Sequence, residues 1–150
     1  MNNIKIDEPK TTTEFGAYYR IRWEILRKPW NQPIGSEKDD LERNAIHLAA
    51  FSGEEIVGCI RGHFNSFTQA QIRYMAVAES FRNQGIGSLL LKELEEKLAE
   101  RGAKEVILKA REKAVSFYEK NGYRIFKDGD VIFGEIAHFW MRKVFREFRL

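Results

Sequence analysis

The chain has one cysteine, Cys59, and so cannot form an intramolecular disulfide. A small secreted scaffold held by disulfides is thereby excluded. Three prolines and eleven glycines leave no room for collagen-like or low-complexity character. No apolar run approaches the roughly 18 residues of a membrane span, and the opening MNNIKIDEPK lacks an apolar signal-peptide core. Neither sign of charge dominates, with 25 Lys and Arg against 22 Asp and Glu. A nucleic-acid binder carries a basic stripe and usually a pI above about 9; this chain only reaches 9.0. Part of its excess is Arg142, Lys143, Arg146 and Arg149, faced only by Glu147. These residues read as a solvated basic edge, so DNA or RNA is not an expected partner. No His, Cys, Asp and Glu set has metal-ligand spacing, and no Gly-x-Ser-x-Gly elbow exists. Cys59 lies in the apolar run IVGCIRGHF, where an inert buried thiol is expected.

What the chain does have is core material: 43% hydrophobic residues, with eleven Phe, five Tyr and three Trp among 150. That composition excludes disorder, and the length suits one domain over 1–150. A compact cytoplasmic domain without membrane contact is the expectation.

Periodicity orders the elements. Residues 3–7 alternate as a short strand. Phe15, Tyr18, Tyr19, Ile21, Ile25 and Leu26 recur at helical spacing from Thr12 to about Lys28, after a threonine run suited to capping. Pro29 and Pro33 break that pattern, leaving a loop over 29–40 and a short helix at DDLERN. Strands at 46–51, 56–64 and 69–77 follow with short turns, which implies an antiparallel meander. Ile86, Leu89, Leu90, Leu94 and Leu98 then form a helical stripe ending at Gly102. A buried strand at 105–110, a short helix at 113–122, and strands at 123–127 and 134–145 around Asp128-Gly129-Asp130 complete the chain. The strand–helix–strand crossover makes 69–77 and 105–110 parallel neighbours. The fold class is mixed α/β, a mostly antiparallel twisted sheet with one parallel strand pair, flanked by helices.

The chemistry-bearing stretch is 73–98, where a β-run ends at Val77 and Arg82-Asn83-Gln84-Gly85-Ile86-Gly87-Ser88 leads into the amphipathic helix. Glycines at 85 and 87 permit a tight bend and close approach of a ligand. The unpaired amides and positive dipole end of the first helical turn suit an anion such as a pyrophosphate. Arg82 either adds a charged contact or orients the loop. A Gly-rich turn that binds nothing would use the same residues. Two commoner phosphate loops fail: no Lys follows Gly87 as a Walker A loop requires, and Leu90 stands where a dinucleotide fingerprint needs a third glycine.

Arg82-Asn83-Gln84-Gly85-Ile86-Gly87 resembles the Gln/Arg-x-x-Gly-x-Gly/Ala signature of the GNAT superfamily of acyl-CoA-dependent N-acyltransferases. Phe117-Tyr118-Glu119-Lys120-Asn121-Gly122-Tyr123 resembles that family's second element, and the spacing and order of elements agree over nearly the whole chain. The resemblance implies an N-acetyltransferase moving an acetyl group from acetyl-CoA to a primary amine by direct attack in a ternary complex. It implies that backbone groups of Met75 and Val77 pair with the pantetheine arm. It also implies that amides of Arg82, Asn83, Gln84, Gly85, Ile86, Gly87 and Ser88 hold the pyrophosphate, and that Tyr118 protonates the departing thiolate. Family members often carry Asn near the position of Arg111, a contact this chain replaces by a cation. Tyr118 has a second reading, because Ala114, Phe117 and Tyr118 at i, i+3 and i+4 also suit plain core packing.

Glu24, Glu79 and His138 are candidates for taking the acceptor's proton, each with a bland alternative as a surface or packing residue. Ile136-Ala137-His138 resembles the Ile-Pro-His ending of one subgroup without its proline. The loop 28–40 and the strand at 134–145 border the acceptor side in the family. There Trp30, Glu37, Asp39 and Asp40 favour a cationic small-molecule or peptide amine, or equally form a solvated acidic loop. A homodimer is common among such proteins. The alternative to an enzyme is a non-catalytic acyl-CoA sensor or protein-interaction module on the same fold.

Overall fold

A computed structural model describes residues 3–134 and 136–145. The basic residues Arg146 and Arg149 lie outside the described residues, as does Glu147. The elements are β1 (Ile4–Asp7), α1 (Thr12–Leu26), β2 (Ile46–Ser52), β3 (Glu55–Phe64), β4 (Gln69–Val77), α2 (Ile86–Glu100), β5 (Glu105–Arg111), α3 (Val115–Lys120), β6 (Arg124–Ile132) and β7 (Ile136–Val144). The sheet runs β1-β2-β3-β4-β5-β7-β6. Only β4 and β5 pair in parallel; the other five pairings are antiparallel. No described helix is long and apolar enough to cross a membrane.

The local causes are those the sequence carries. Thr11 caps α1 in a reciprocal box with Glu14, and Pro29 falls in a separate 3₁₀ turn, Lys28–Trp30. α1 packs Tyr18 and Ile21 on one sheet face, against Ala49, Ile56, Cys59 and Ala76. α2 packs Leu90, Leu91, Leu94 and Leu98 on the other, with Leu48, Ile60, Ile72, Val106 and Leu108. β3 is buried along almost its whole length because helices cover both its faces.

One boundary needs correction. The Asp128-Gly129-Asp130 stretch, read as the final hairpin turn, lies inside β6. A Cβ on Gly129 would sit 2.9 Å from the His138 carbonyl oxygen, and pairing slips between Asp128 and Val131. Gly129 therefore serves a bulge that brings two backbones close. The reversal falls at Phe133 and Gly134, both at positive φ.

Candidate active site

The site begins as a failure of pairing. β4 and β5 pair only from Gln69/Glu105 to Ile72/Leu108. Beyond that point β5 continues beside β7, with Lys109 opposite Trp140 and Arg111 opposite His138. β4 stays with β3 but bulges, since Ile60 pairs Met75 and Gly62 pairs Ile72, leaving Arg73 and Tyr74 opposite Arg61. Tyr74 takes a positive φ of 71° at that bulge. Extra residues on one strand bend it and increase its twist, so the two strands splay into a wedge.

The wedge has unpaired backbone. Ala78 donates to the Val57 carbonyl on the β3 side. By strand alternation the backbone groups of Met75 and Val77 point the other way, into the wedge. The Val77 carbonyl accepts from Arg82 Nε at 3.1 Å. The Arg82 amide donates to the Glu79 carbonyl in a 3₁₀ turn. Arg82 thus orients the loop through both groups, and the Gln84 side chain reinforces it with a long bond to the Ser80 carbonyl, 3.5 Å.

The loop delivers the chain into α2 through Gly85, at φ +81 with no side-chain cap. Among the described residues the amides of Asn83, Gln84 and Gly85 donate no backbone hydrogen bond, and those of Ile86, Gly87 and Ser88 form the open first turn. A Cβ on Gly87 would lie 3.1 Å from Met75 Cε and 3.2 Å from Phe117 Cζ. Glycine there lets α2 seat against the wall of the wedge.

A cleft of about 390 Å³ occupies the wedge, lined among others by Arg73, Tyr74, Met75, Arg111, Tyr118 and His138. The Tyr118 hydroxyl reaches Met75 Sδ at 3.4 Å, and burial pushes its phenol well above the ordinary range. His138 Nδ1 lies 2.9 Å from the Ile136 carbonyl oxygen. A carbonyl only accepts, so Nδ1 carries the proton and Nε2 keeps a lone pair. Burial lowers the His138 pKa; the Ile136 carbonyl and Asp130 oppose that, while Lys109 and Arg111 add to it. That lowering favours the neutral ring.

Other candidates stand apart. Glu79 is exposed and shares with Glu24 and Arg82 a different surface concavity, between α1 and the ends of β3 and β4. Glu24 pairs with Arg20 at 2.8 Å. In the acidic loop Asp40 is exposed, while Asp39 and Glu37 are committed elsewhere. Asp39 holds Arg61 at 2.6 Å and Arg73 at 2.9 Å. Burial raises its carboxyl, but Arg61, the Leu41 amide and Arg73 outweigh it and hold the pKa down to about 2. Glu37 is buried and accepts from the Gly35 amide at 2.7 Å. Trp30 stacks on Phe133, ring centroids 6.2 Å apart, and Phe133 lines the cleft. Burial pushes the Cys59 thiol up to about 11, which leaves it inert.

Sequence reasoning missed Arg27, which lines the cleft just past the end of α1. It also missed the bulge that aims Tyr74 there. The only sequence signal was the pair Arg73-Tyr74, where the alternation of Gln69-Ala70-Gln71-Ile72 ends.

The acetyltransferase (GNAT) family model matches residues 15–123. The uncharacterized N-acetyltransferase YjcF of Bacillus subtilis is 34% identical over 127 residues, 85% of this chain and 89% of that protein. Solved structures agree in fold. An aminoglycoside 6'-N-acetyltransferase complexed with coenzyme A matches with a TM-score of 0.79 at 20% identity, over 95% of this chain and 96% of that one. A GNAT family acetyltransferase from Elizabethkingia anophelis with acetyl-CoA bound gives 0.70 at 22% identity, over 97% and 100%.

Proposed function

This chain belongs to the acetyltransferase (GNAT) family, and we propose that it transfers an acetyl group from acetyl-CoA to a primary amine by direct attack in the wedge. The carrying observation is the convergence of Tyr118 and His138, from α3 and β7, on the cleft where β4 and β5 part. The backbone of Met75 and Val77, which has no strand partner on the wedge side, suits the pantetheine arm as an added strand. The open amides from Asn83 to Ser88 suit the pyrophosphate, with Arg82 holding the loop from behind.

In the reaction the acceptor nitrogen attacks the thioester carbonyl, a C–N bond forms and the C–S bond breaks. The amine's proton passes to His138 Nε2, and the Tyr118 hydroxyl donates to the departing sulfur. A phenol near pKa 10, raised further by burial, is fully protonated at neutral pH. It is a weaker acid than a thiol near 8.5, so it stabilises the developing thiolate chiefly by hydrogen bonding. Glu79 is the less favoured base, because it lies outside the cleft.

Release of free thiol from acetyl-CoA, dependent on added amine, tests the reading. Tyr118→Phe is expected to keep CoA affinity and lower kcat roughly tenfold, the low end for a positioned donor. An unaltered rate returns Tyr118 to the core. A chain that binds CoA but acetylates no amine supports the sensor reading instead.

A further inference from the structure

The described residues lining the cleft include four cations, Arg27, Arg73, Lys109 and Arg111, and no carboxylate. Two of the four have acidic partners: Arg73 with Asp39 at 2.9 Å and Lys109 with Asp130 at 3.0 Å. Arg27 and Arg111 have none among the described residues. Arg27 donates to the carbonyls of Ser36 at 3.0 Å and Leu26 at 3.1 Å. Arg111 donates to the same Leu26 carbonyl at 3.0 Å. Two guanidinium groups thus meet at one carbonyl oxygen, partly desolvated. Burial lowers the pKa of both; at Arg27 the Tyr74 phenol opposes this while Arg73 adds to it, and at Arg111 the neighbouring Arg27 adds to it.

Like charges held together out of water cost free energy unless something offsets them. A planar guanidinium pair is also the usual receptor for a carboxylate or a phosphate. The pair stands away from the loop before α2, since no residue from 82 to 88 lines this cleft. It therefore lies apart from the pyrophosphate loop, at the part of the cleft where His138 stands. Arg111 lies directly opposite His138 across the β5–β7 ladder, and such cross-strand partners have Cβ atoms about 4.5–5.5 Å apart on one face.

We propose that the acceptor is a short amine bearing its own anion, a carboxylate or a phosphate, which Arg27 and Arg111 hold while its nitrogen faces His138. This rests on the acetyltransferase reading and reverses the cationic acceptor suggested by the acidic loop. The closeness of Arg111 and His138 limits amine and anion to a few bonds apart, as in an amino acid or a 2-aminoethyl phosphate. Aminoglycosides and polyamines, which bring only positive charge, are disfavoured.

Calorimetric titration of the full chain, with and without saturating CoA, tests it with matched pairs. Glycine is set against glycinamide, O-phosphoethanolamine against ethanolamine, and spermidine serves as a purely cationic amine. The anion-bearing member of at least one pair is expected to bind roughly tenfold or more tightly than the partner that lacks the anion, as two charge-assisted hydrogen bonds allow. Which pair shows it identifies carboxylate or phosphate as the anion. Arg111→Gln should erase that preference without weakening CoA. Arg27→Gln gives an independent check should the first variant fail to fold. Equal binding within both pairs, or tighter binding of spermidine, overturns the proposal. Loss of CoA affinity in Arg111→Gln also overturns it, by giving the pair to the cofactor. A chain that binds no CoA at all defeats the acetyltransferase reading, whereas the titrations without CoA still decide the anion preference.

Discussion

Four arginines surround Tyr74, with guanidinium carbons 4.4 to 5.5 Å from its ring centroid, yet they live under two regimes. Behind the sheet, Arg22 and Arg61 are fully buried and each meets carboxylate. Arg22 holds Glu42 at 2.9 Å, and Arg61 holds Glu42 and Asp39 at 2.6 Å. In the cleft, Arg73 still meets Asp39, but Arg27 has no acidic partner among the described residues, and neither has Arg111 beyond it. Histidines divide the same way. His47, behind the sheet, uses both ring nitrogens, on the Tyr18 hydroxyl at 2.9 Å and the Glu42 carbonyl at 2.7 Å. His138 uses one. Where the chain supplies a carboxylate to meet the charge, the side chain is structure, even though the Nε of both Arg22 and Arg61 is buried without a partner. Where it leaves a capacity unfilled beside a cavity, the side chain faces a ligand.

The largest effect should come from breaking the closed region. Glu42→Ala leaves Arg22 buried with only the Tyr18 hydroxyl and the Glu37 carbonyl. Removing one member of a buried ion pair costs about 3–5 kcal/mol. The low end is expected, since Asp39 still holds Arg61. Urea denaturation with an unchanged m-value measures it. A loss under about 1 kcal/mol would erase the distinction between the regions.

Next is His138, the base proposed for the open region. His138→Asn is expected to lower kcat about a hundredfold or more, with little change in the urea midpoint. The pH dependence has a definite sign. Only the neutral ring accepts a proton, so kcat falls as pH drops through the His138 pKa. Burial and the cations Lys109 and Arg111 hold that pKa below the ordinary 6.5, against the pull of the Ile136 carbonyl and Asp130. The acid limb should therefore lie below 6.5 and vanish in the variant. A limb that persists unchanged would assign the proton to another group.

The closed region was harder to read from sequence than the open one. Arg82 to Gly87 and Phe117 to Tyr123 are contiguous, and their chemistry is local: an uncapped helix start and an aromatic on a short helix. Alternation and helical spacing marked every strand and helix for the same reason. Glu37 and Asp39 misled because an acidic loop looks solvated until Arg61, Arg73 and the Gly35 amide are folded against it. Gly129 looked like a turn because its partner, the His138 carbonyl, lies on another strand. The wedge is a property of register between β4 and β5, which no single segment encodes.

The smallest effect sharpens the comparison most. If Arg111 faces a ligand, its removal should hardly change stability. Arg111→Gln forfeits one hydrogen bond to the Leu26 carbonyl, a bond from a charged donor worth about 1.5–3 kcal/mol. It also removes a partly desolvated cation held beside Arg27, and relief of that repulsion opposes the loss. The net change expected in urea denaturation is within about 1 kcal/mol, and functional sites commonly carry such a stability cost. Arg22, equally an arginine, could not be replaced so cheaply, because Glu42 and the Tyr18 hydroxyl meet it. A loss of 3 kcal/mol or more at Arg111 would place it with Arg22, as a strut between β5 and the end of α1. A near-zero loss, together with a lost preference for anionic amines, would mean that the fold tolerates this charge for the sake of what binds there.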